Sequence, residues 1–148
     1  SQGGGDLENI VNPATGTKIG SFKSVEVAEL PRVEFCAKRA LKIWKGFSGK
    51  ERSMVLHKIA QKLSELNAEL AELEMLDTGR PIAETNVVDI ESARECFQYF
   101  AGVAPTISGQ HIDMGSSSNG SFAYTRREAL GVCAGIGAWN YPLQVSCP

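Results

Sequence analysis

The apolar residues of this chain mark three helical stretches, with strand-like segments before and after them. Between 30 and 44, Val33, Ala37, Ala40, Leu41 and Trp44 recur at i, i+4, i+7, i+8 and i+11, which predicts a helix with one apolar stripe. Pro31 falls in its first turn, where a missing N–H costs little, and Lys38, Arg39, Lys42 and Lys45 form its solvated side. A second block opens on Ser48-Gly49-Lys50-Glu51, whose Ser-x-x-Glu spacing is a capping box. Val55, Ile59, Leu63, Leu66, Leu70 and Leu73 then return every three or four residues, with Asn67 expected to cap a restart. Asp77-Thr78-Gly79-Arg80-Pro81 stops the block by placing Gly and then Pro past its end. The third stretch, 82–103, uses Val87, Ile90, Arg94, Phe97 and Ala101 and ends at Pro105.

The flanks follow a different rhythm. Residues 1–9 read as a flexible polar lead. Ile10-Val11 and residues 17–22 read as two short strands around the turn Asn12-Pro13-Ala14-Thr15-Gly16. After the helices, 115–121 is a Gly/Ser connector, and 122–128 alternates like a strand with one polar face. The small apolar run 132–138 suits a strand buried on both faces. Hairpin, helices and that strand together give an α/β class.

Composition narrows the function classes. The 148 residues carry 15 Lys+Arg against 17 Asp+Glu, a formal net charge of −2, and 43% are hydrophobic, which excludes an intrinsically disordered chain. The densest basic pair, Arg126-Arg127, is followed at once by Glu128, so no electrostatic footprint for nucleic acid is present. Residues 1–6 have neither a basic nor an apolar signal region. The uncharged stretch 129–148 is interrupted by Gly131, Gly135, Gly137, Asn140, Pro142 and Gln144, a poor membrane helix. Cys36, Cys96, Cys133 and Cys147 lack metal or redox spacing and are expected as buried thiols in a reducing, cytoplasmic compartment.

Chemistry concentrates near the end. Gly135-Ile136-Gly137-Ala138-Trp139-Asn140 begins as G-x-G-x-x-G after a predicted strand, but Asn140 occupies the third glycine's place. A tight strand-to-helix turn explains the glycines as well as a phosphate-binding loop does. Asn140 suits a helix N-cap before Pro142, and it equally suits a donor to a developing oxyanion. His57 and His111 lack a Ser or Cys partner, which leaves a hydrolase triad without support. Asp77 reads as a residue of a helix's last turn that can join loop carbonyls around a hard cation.

Ile136-Gly137-Ala138-Trp139-Asn140-Tyr141-Pro142 resembles the NAD(P)-dependent aldehyde dehydrogenase superfamily. Asn12-Pro13-Ala14-Thr15-Gly16, Ala40-Leu41-Lys42-Ile43-Trp44, Leu76-Asp77-Thr78-Gly79-Arg80-Pro81 and Tyr124-Thr125-Arg126-Arg127-Glu128 match it in order and spacing. Gly-Ala-Trp-Asn-Tyr-Pro, preceded by Tyr-Thr-Arg-Arg-Glu, looks most like the betaine and trimethylaminobutyraldehyde dehydrogenase branch.

The resemblance implies an N-terminal hairpin and helices of a Rossmann-like cofactor domain over 10–121, an oligomerisation-arm strand over 122–131, and the first core strand and turn of the cofactor sheet over 132–148. It implies Asn140 as the oxyanion-stabilising residue and Ile136, Gly137, Ala138 and Trp139 as the loop meeting NAD or NADP. Tyr141 matches an aromatic of the aldehyde tunnel, suited by cation–π attraction to a quaternary ammonium substrate. A potassium ion is implied near Ile10 and Val11, through their carbonyls, and Asp77. The parent would be a homo-oligomer, dimer or tetramer, with a small aldehyde as its substrate.

The resemblance spans the whole chain, which covers well under half of a family member. The family's catalytic Cys, its general-base Glu and the lysine that meets the cofactor ribose have no counterpart here. Ala129 stands where the family usually has Pro, and Cys147-Pro148 replaces the usual Ser-Trp. The chain is therefore read as a truncated N-terminal part, inactive alone. The rival reading is a non-catalytic product that joins full-length subunits through 122–128.

Overall fold

The structure, a computed structural model, describes residues 4–146. Strands β1 (Leu7–Val11) and β2 (Lys18–Lys23) form an antiparallel hairpin in which Leu7 faces Lys23 and Ile10 faces Gly20. Its turn is closed by the Asn12 side chain, which accepts from the Ala14 N–H at 2.8 Å. The lead is more ordered than expected, because strand pairing needs only backbone and starts at Leu7 despite polar neighbours. The Gly5 N–H donates to the Ser24 carbonyl at 3.0 Å, and the Gly4 N–H to Glu29 at 2.8 Å. That bond and one from the Glu26 N–H hold the Glu29 carboxyl below its usual range.

Four longer helices follow. Helix α1 (Leu30–Gly46) carries Pro31 in its first turn, and α2 (Gly49–Glu65) opens on the complete Ser48–Glu51 capping box. The restart is real: α3 spans Asn67–Thr78. Leu66 rather than Asn67 holds the cap position, and the Asn67 side chain instead donates to the Asn86 carbonyl at 3.1 Å. Gly79 ends α3 in the left-handed region at φ 75°, where an added Cβ would also meet the Pro13 ring at 2.9 Å. The hairpin turn thus rests against the end of α3.

The third predicted stretch is one helical path with a wide turn inside it. A short α4 (Ile82–Glu84) passes through a π-turn at Thr85–Asp89 into α5 (Ile90–Val103). The Ile90 N–H reaches back five residues to the Thr85 carbonyl. That extra residue rotates the face ahead of it, so Val87 is 65% exposed while Thr85, Asp89 and Ile90 are buried. Val87 was expected on the core stripe, but a 3.6-residue period loses phase at such a turn.

The core lies where α2 packs antiparallel on α5, with Ala60, Ile90, Ala93 and Ala101 buried. Small residues let the two backbones approach closely; a Cβ on Gly49 would lie 2.8 Å from the Ala104 carbonyl. Helix α3 covers the π-turn, and the buried Thr85 hydroxyl donates to the Ala71 carbonyl at 2.9 Å. The apolar stripe of α1 is left largely open, with Val33 and Trp44 exposed.

A second hairpin joins β3 (His111–Asp113) to β4 (Phe122–Tyr124), and the His111 ring stacks on Phe122. Of the expected strand 122–128 only the first three residues join the ladder, and the Thr125 N–H extends the pairing by donating to the Gln110 carbonyl at 2.9 Å. The run 132–138 is not a strand. The sheets among the described residues are the two hairpins, neither of which pairs with it, and Ile136 is 98% exposed. Cys36 and Cys133 are exposed rather than buried for the same lack of cover, and Cys147 lies outside the described residues.

Candidate functional site

One cleft of about 450 Å³ gathers residues from three parts of the chain. The first hairpin contributes Ile10, Ile19 and Gly20, α3 contributes Leu70, Leu73, Glu74, Leu76 and Asp77, and the final turn contributes Pro142, Leu143 and Ser146. The register of α3 explains most of its share, because residues 70, 73, 74 and 77 lie on one helical face, with Leu76 at its edge. Glu74 is the anomaly on that face. It is buried, it faces the Leu143 N–H, and its Oε1 has no hydrogen-bond partner among the described residues. Burial first, then the Asp89 and Asp77 charges, push the Glu74 carboxyl above its usual range, against the opposing pull of Leu143 and Arg80.

Beside this cleft, Arg80 leaves the end of α3 and binds three groups at once. Its Nη1 meets Asp89 Oδ2 at 2.7 Å, its Nη2 meets Glu84 Oε2 at 2.9 Å, and its guanidinium carbon lies 4.1 Å from the centroid of the Tyr141 ring. Asp89 is fully buried, brought inward with Thr85 by the π-turn. A buried carboxylate needs such a partner, since removing it from water alone costs several kcal/mol. The rest of the final turn is also secured. The Gln144 side chain donates to Ser92 at 2.9 Å, and the Val145 N–H donates to the Tyr141 carbonyl at 3.0 Å.

The sequence-derived candidates separate accordingly. Ile10 and Asp77 meet in the cleft, while Val11 is exposed and lies outside its lining. Tyr141 is half-buried under Arg80. Asn140 stands one residue earlier on an exposed turn, and its carboxamide makes no hydrogen bond to the described residues. It does not cap a regular helix, because only a single 3₁₀ turn, Gln144–Ser146, follows. Ile136 and Trp139 are exposed, and Gly137 passes so near the final turn that a Cβ there would lie 2.9 Å from Ser146 Oγ. Glu74, Arg80 and Asp89 were missed. A glutamate four residues after Leu70 on an apolar stripe was the available signal for the first; nothing in the periodicity announces the π-turn that builds the other two.

The site's fit to bound groups follows from these positions. An unpartnered buried carboxylate oxygen beside Asp77 and the Ile10 strand suits a small cation. Among the described residues no three His, Cys, Asp or Glu side chains converge as a metal cage. The exposed 136–139 backbone, with glycine at the tight point, leaves room for a ligand to approach the main chain.

Comparison with known proteins identifies the family and the fold. A profile of the Aldehyde dehydrogenase family matches residues 2–148. The chain is 44% identical over 136 residues to a betaine aldehyde dehydrogenase of Vibrio vulnificus (strain YJ016), covering 92% of this chain and 27% of that protein. It superposes on PnpE of Pseudomonas sp. WBC-3 with a TM-score of 0.88 at 33% identity, over 96% of this chain and 28% of the other. A betaine aldehyde dehydrogenase double mutant of Staphylococcus aureus in complex with NAD+ gives a TM-score of 0.90 at 28% identity, over 99% and 29%. The mixed helix and strand architecture is the one these structures share, and the chain spans little more than a quarter of their length. With the profile matched almost from end to end, this chain belongs to the aldehyde dehydrogenase family.

Proposed function

We propose that the chain supplies the N-terminal part of an enzyme that oxidises aldehydes to carboxylic acids with NAD, acting on amino- or trimethylammonio-aldehydes. One observation carries the reading: the turn 141–146 is bound to the helices while Asn140, immediately before it, presents an uncommitted carboxamide. A fixed N–H donor of this kind suits the oxyanion that forms when a nucleophile adds to an aldehyde carbonyl. The nucleophile is not among these residues, so the chain alone is inactive in this account. NAD, when bound, accepts the hydride that leaves the substrate carbon. On this side Ile136, Gly137, Ala138 and Trp139 would hold it through their exposed main chain. NADP would meet the same residues.

A substrate ammonium would meet the Tyr141 ring on the face opposite Arg80. Support for that substrate class is the similarity to the Vibrio vulnificus betaine aldehyde dehydrogenase. Potassium would sit between the Ile10 and Val11 carbonyls and Asp77, where the Glu74 carboxylate adds negative charge. A homo-oligomer would form through the second hairpin, whose Phe122 and Tyr124 are exposed. The same exposed aromatics favour the second reading, a non-catalytic chain that joins whole subunits.

Steady-state kinetics of the full-length enzyme carrying these residues test the proposal. Asn140→Ala should lower kcat/KM for the aldehyde by roughly 10²–10³-fold, the usual effect of losing one oxyanion donor. An unchanged kcat/KM would remove the oxyanion role. Mixing the 148-residue chain with active enzyme tests the second reading, which requires a change in oligomer size or activity.

A further inference from the structure

We propose that Arg80 is a positioning residue for Asn140, acting through the ring of Tyr141; the inference rests on the reading of Asn140 as the oxyanion donor. Residues 132–140 are exposed and belong to no regular element, and the side-chain contact nearest to Asn140 is made by the turn that follows it. Tyr141 is the first residue of that turn. Arg80 is suited to fix it. Asp89, fully buried on the π-turn, holds Nη1, and Glu84 holds Nη2, so both ends of the guanidinium are tied and its plane cannot rotate freely. That immobilised plane lies 4.1 Å from the centroid of the Tyr141 ring, one peptide unit from the Asn140 Cα.

The line of contact thus runs from the helical core through Asp89, Arg80 and Tyr141 to Asn140. Ser92 at Gln144 anchors the turn further along, where it sets its path but not the angle at which it starts. Lysine at position 80 would supply the charge without the two-pronged plane, so it should replace Arg80 only in part. A ring without a hydroxyl should serve as well as tyrosine, since the contact is with the face.

Hydrogen exchange read by mass spectrometry tests the clamp without requiring activity. Tyr141→Leu, which leaves the Arg80–Asp89 pair intact, should speed exchange over 141–146 by roughly tenfold, the weight of one desolvated cation–π contact, while 93–101 stays unchanged. Tyr141→Phe should match the unsubstituted chain. Arg80→Met also strands the buried Asp89 and so speeds 93–101 as well, but in that background Tyr141→Leu should add nothing over 141–146. No change over 141–146 in Tyr141→Leu, or equal acceleration of 93–101 in that variant, overturns the clamp.

The catalytic half is read in the full-length enzyme. Arg80→Met should lower kcat with KM for NAD unchanged, and should lower nothing further in an Asn140→Ala background. A full additional loss in that background overturns action through Asn140. If Asn140→Ala alone has no effect, the oxyanion reading falls, while the exchange result still decides whether Arg80 holds the turn.

Discussion

The α2–α5 pair and the segment 132–140 have opposite fates, although the second is the more apolar sequence. Ala60, Ile90, Ala93 and Ala101 are buried between two helices that supply each other's cover. Val132, Ile136 and Trp139 lie open, Trp139 at 88% exposure, and take no regular structure. A helix satisfies its own backbone and needs a neighbour only for its stripe. A strand needs a neighbour for its backbone as well, and none of the described strands pairs with 132–138. Asn140 sits where the open segment meets a turn secured on the packed part. The contrast teaches that its position is borrowed from the helices.

That comparison can be broken most forcefully at the buried ion pair. Asp89→Ala leaves Arg80 without its buried partner and should cost about 3 kcal/mol, read from the urea midpoint at constant m. A cost near that of a surface substitution would mean the packed side does not depend on the π-turn. Next in size, Ile90→Ala should cost about 2–4 kcal/mol, whereas Ile136→Ala should stay within about 0.5 kcal/mol. Similar costs at the two isoleucines would erase the distinction between the regions.

The smallest effect has a characteristic pH dependence. Glu74 ionises near 4.5 when unfolded and at higher pH in the fold, so its contribution is most favourable below 4.5 and is lost as pH rises through the folded value. Glu74→Gln, neutral throughout, should therefore raise the thermal midpoint at pH 7 and lose that advantage below the unfolded value. An advantage that persists in acid would place the gain elsewhere than in the buried charge.

Much of this was legible in the residues. The Ser48–Glu51 box, the Gly79 stop and the Asn12 turn are local signals whose chemistry is complete within a few residues, and each stands where its spacing placed it. Asn140 and Tyr141 enter the proposal through their motif alone. What escaped was phase and partnership. The π-turn adds one residue to a helix without any Gly or Pro to mark it, and so hid the pairing of Arg80 with Asp89. The 132–138 run has a strand's composition, but a ladder depends on residues elsewhere, and the cover of the α1 stripe does too.

The most direct test of this account is the residue-level hydrogen-exchange profile of the unsubstituted chain. The amides of 93–101 should be strongly protected, Val145 measurably so, and 132–139 should exchange at nearly unstructured rates. Protection of 132–139 equal to that of α5 would contradict it, because the open segment would then be held as firmly as the packed helices.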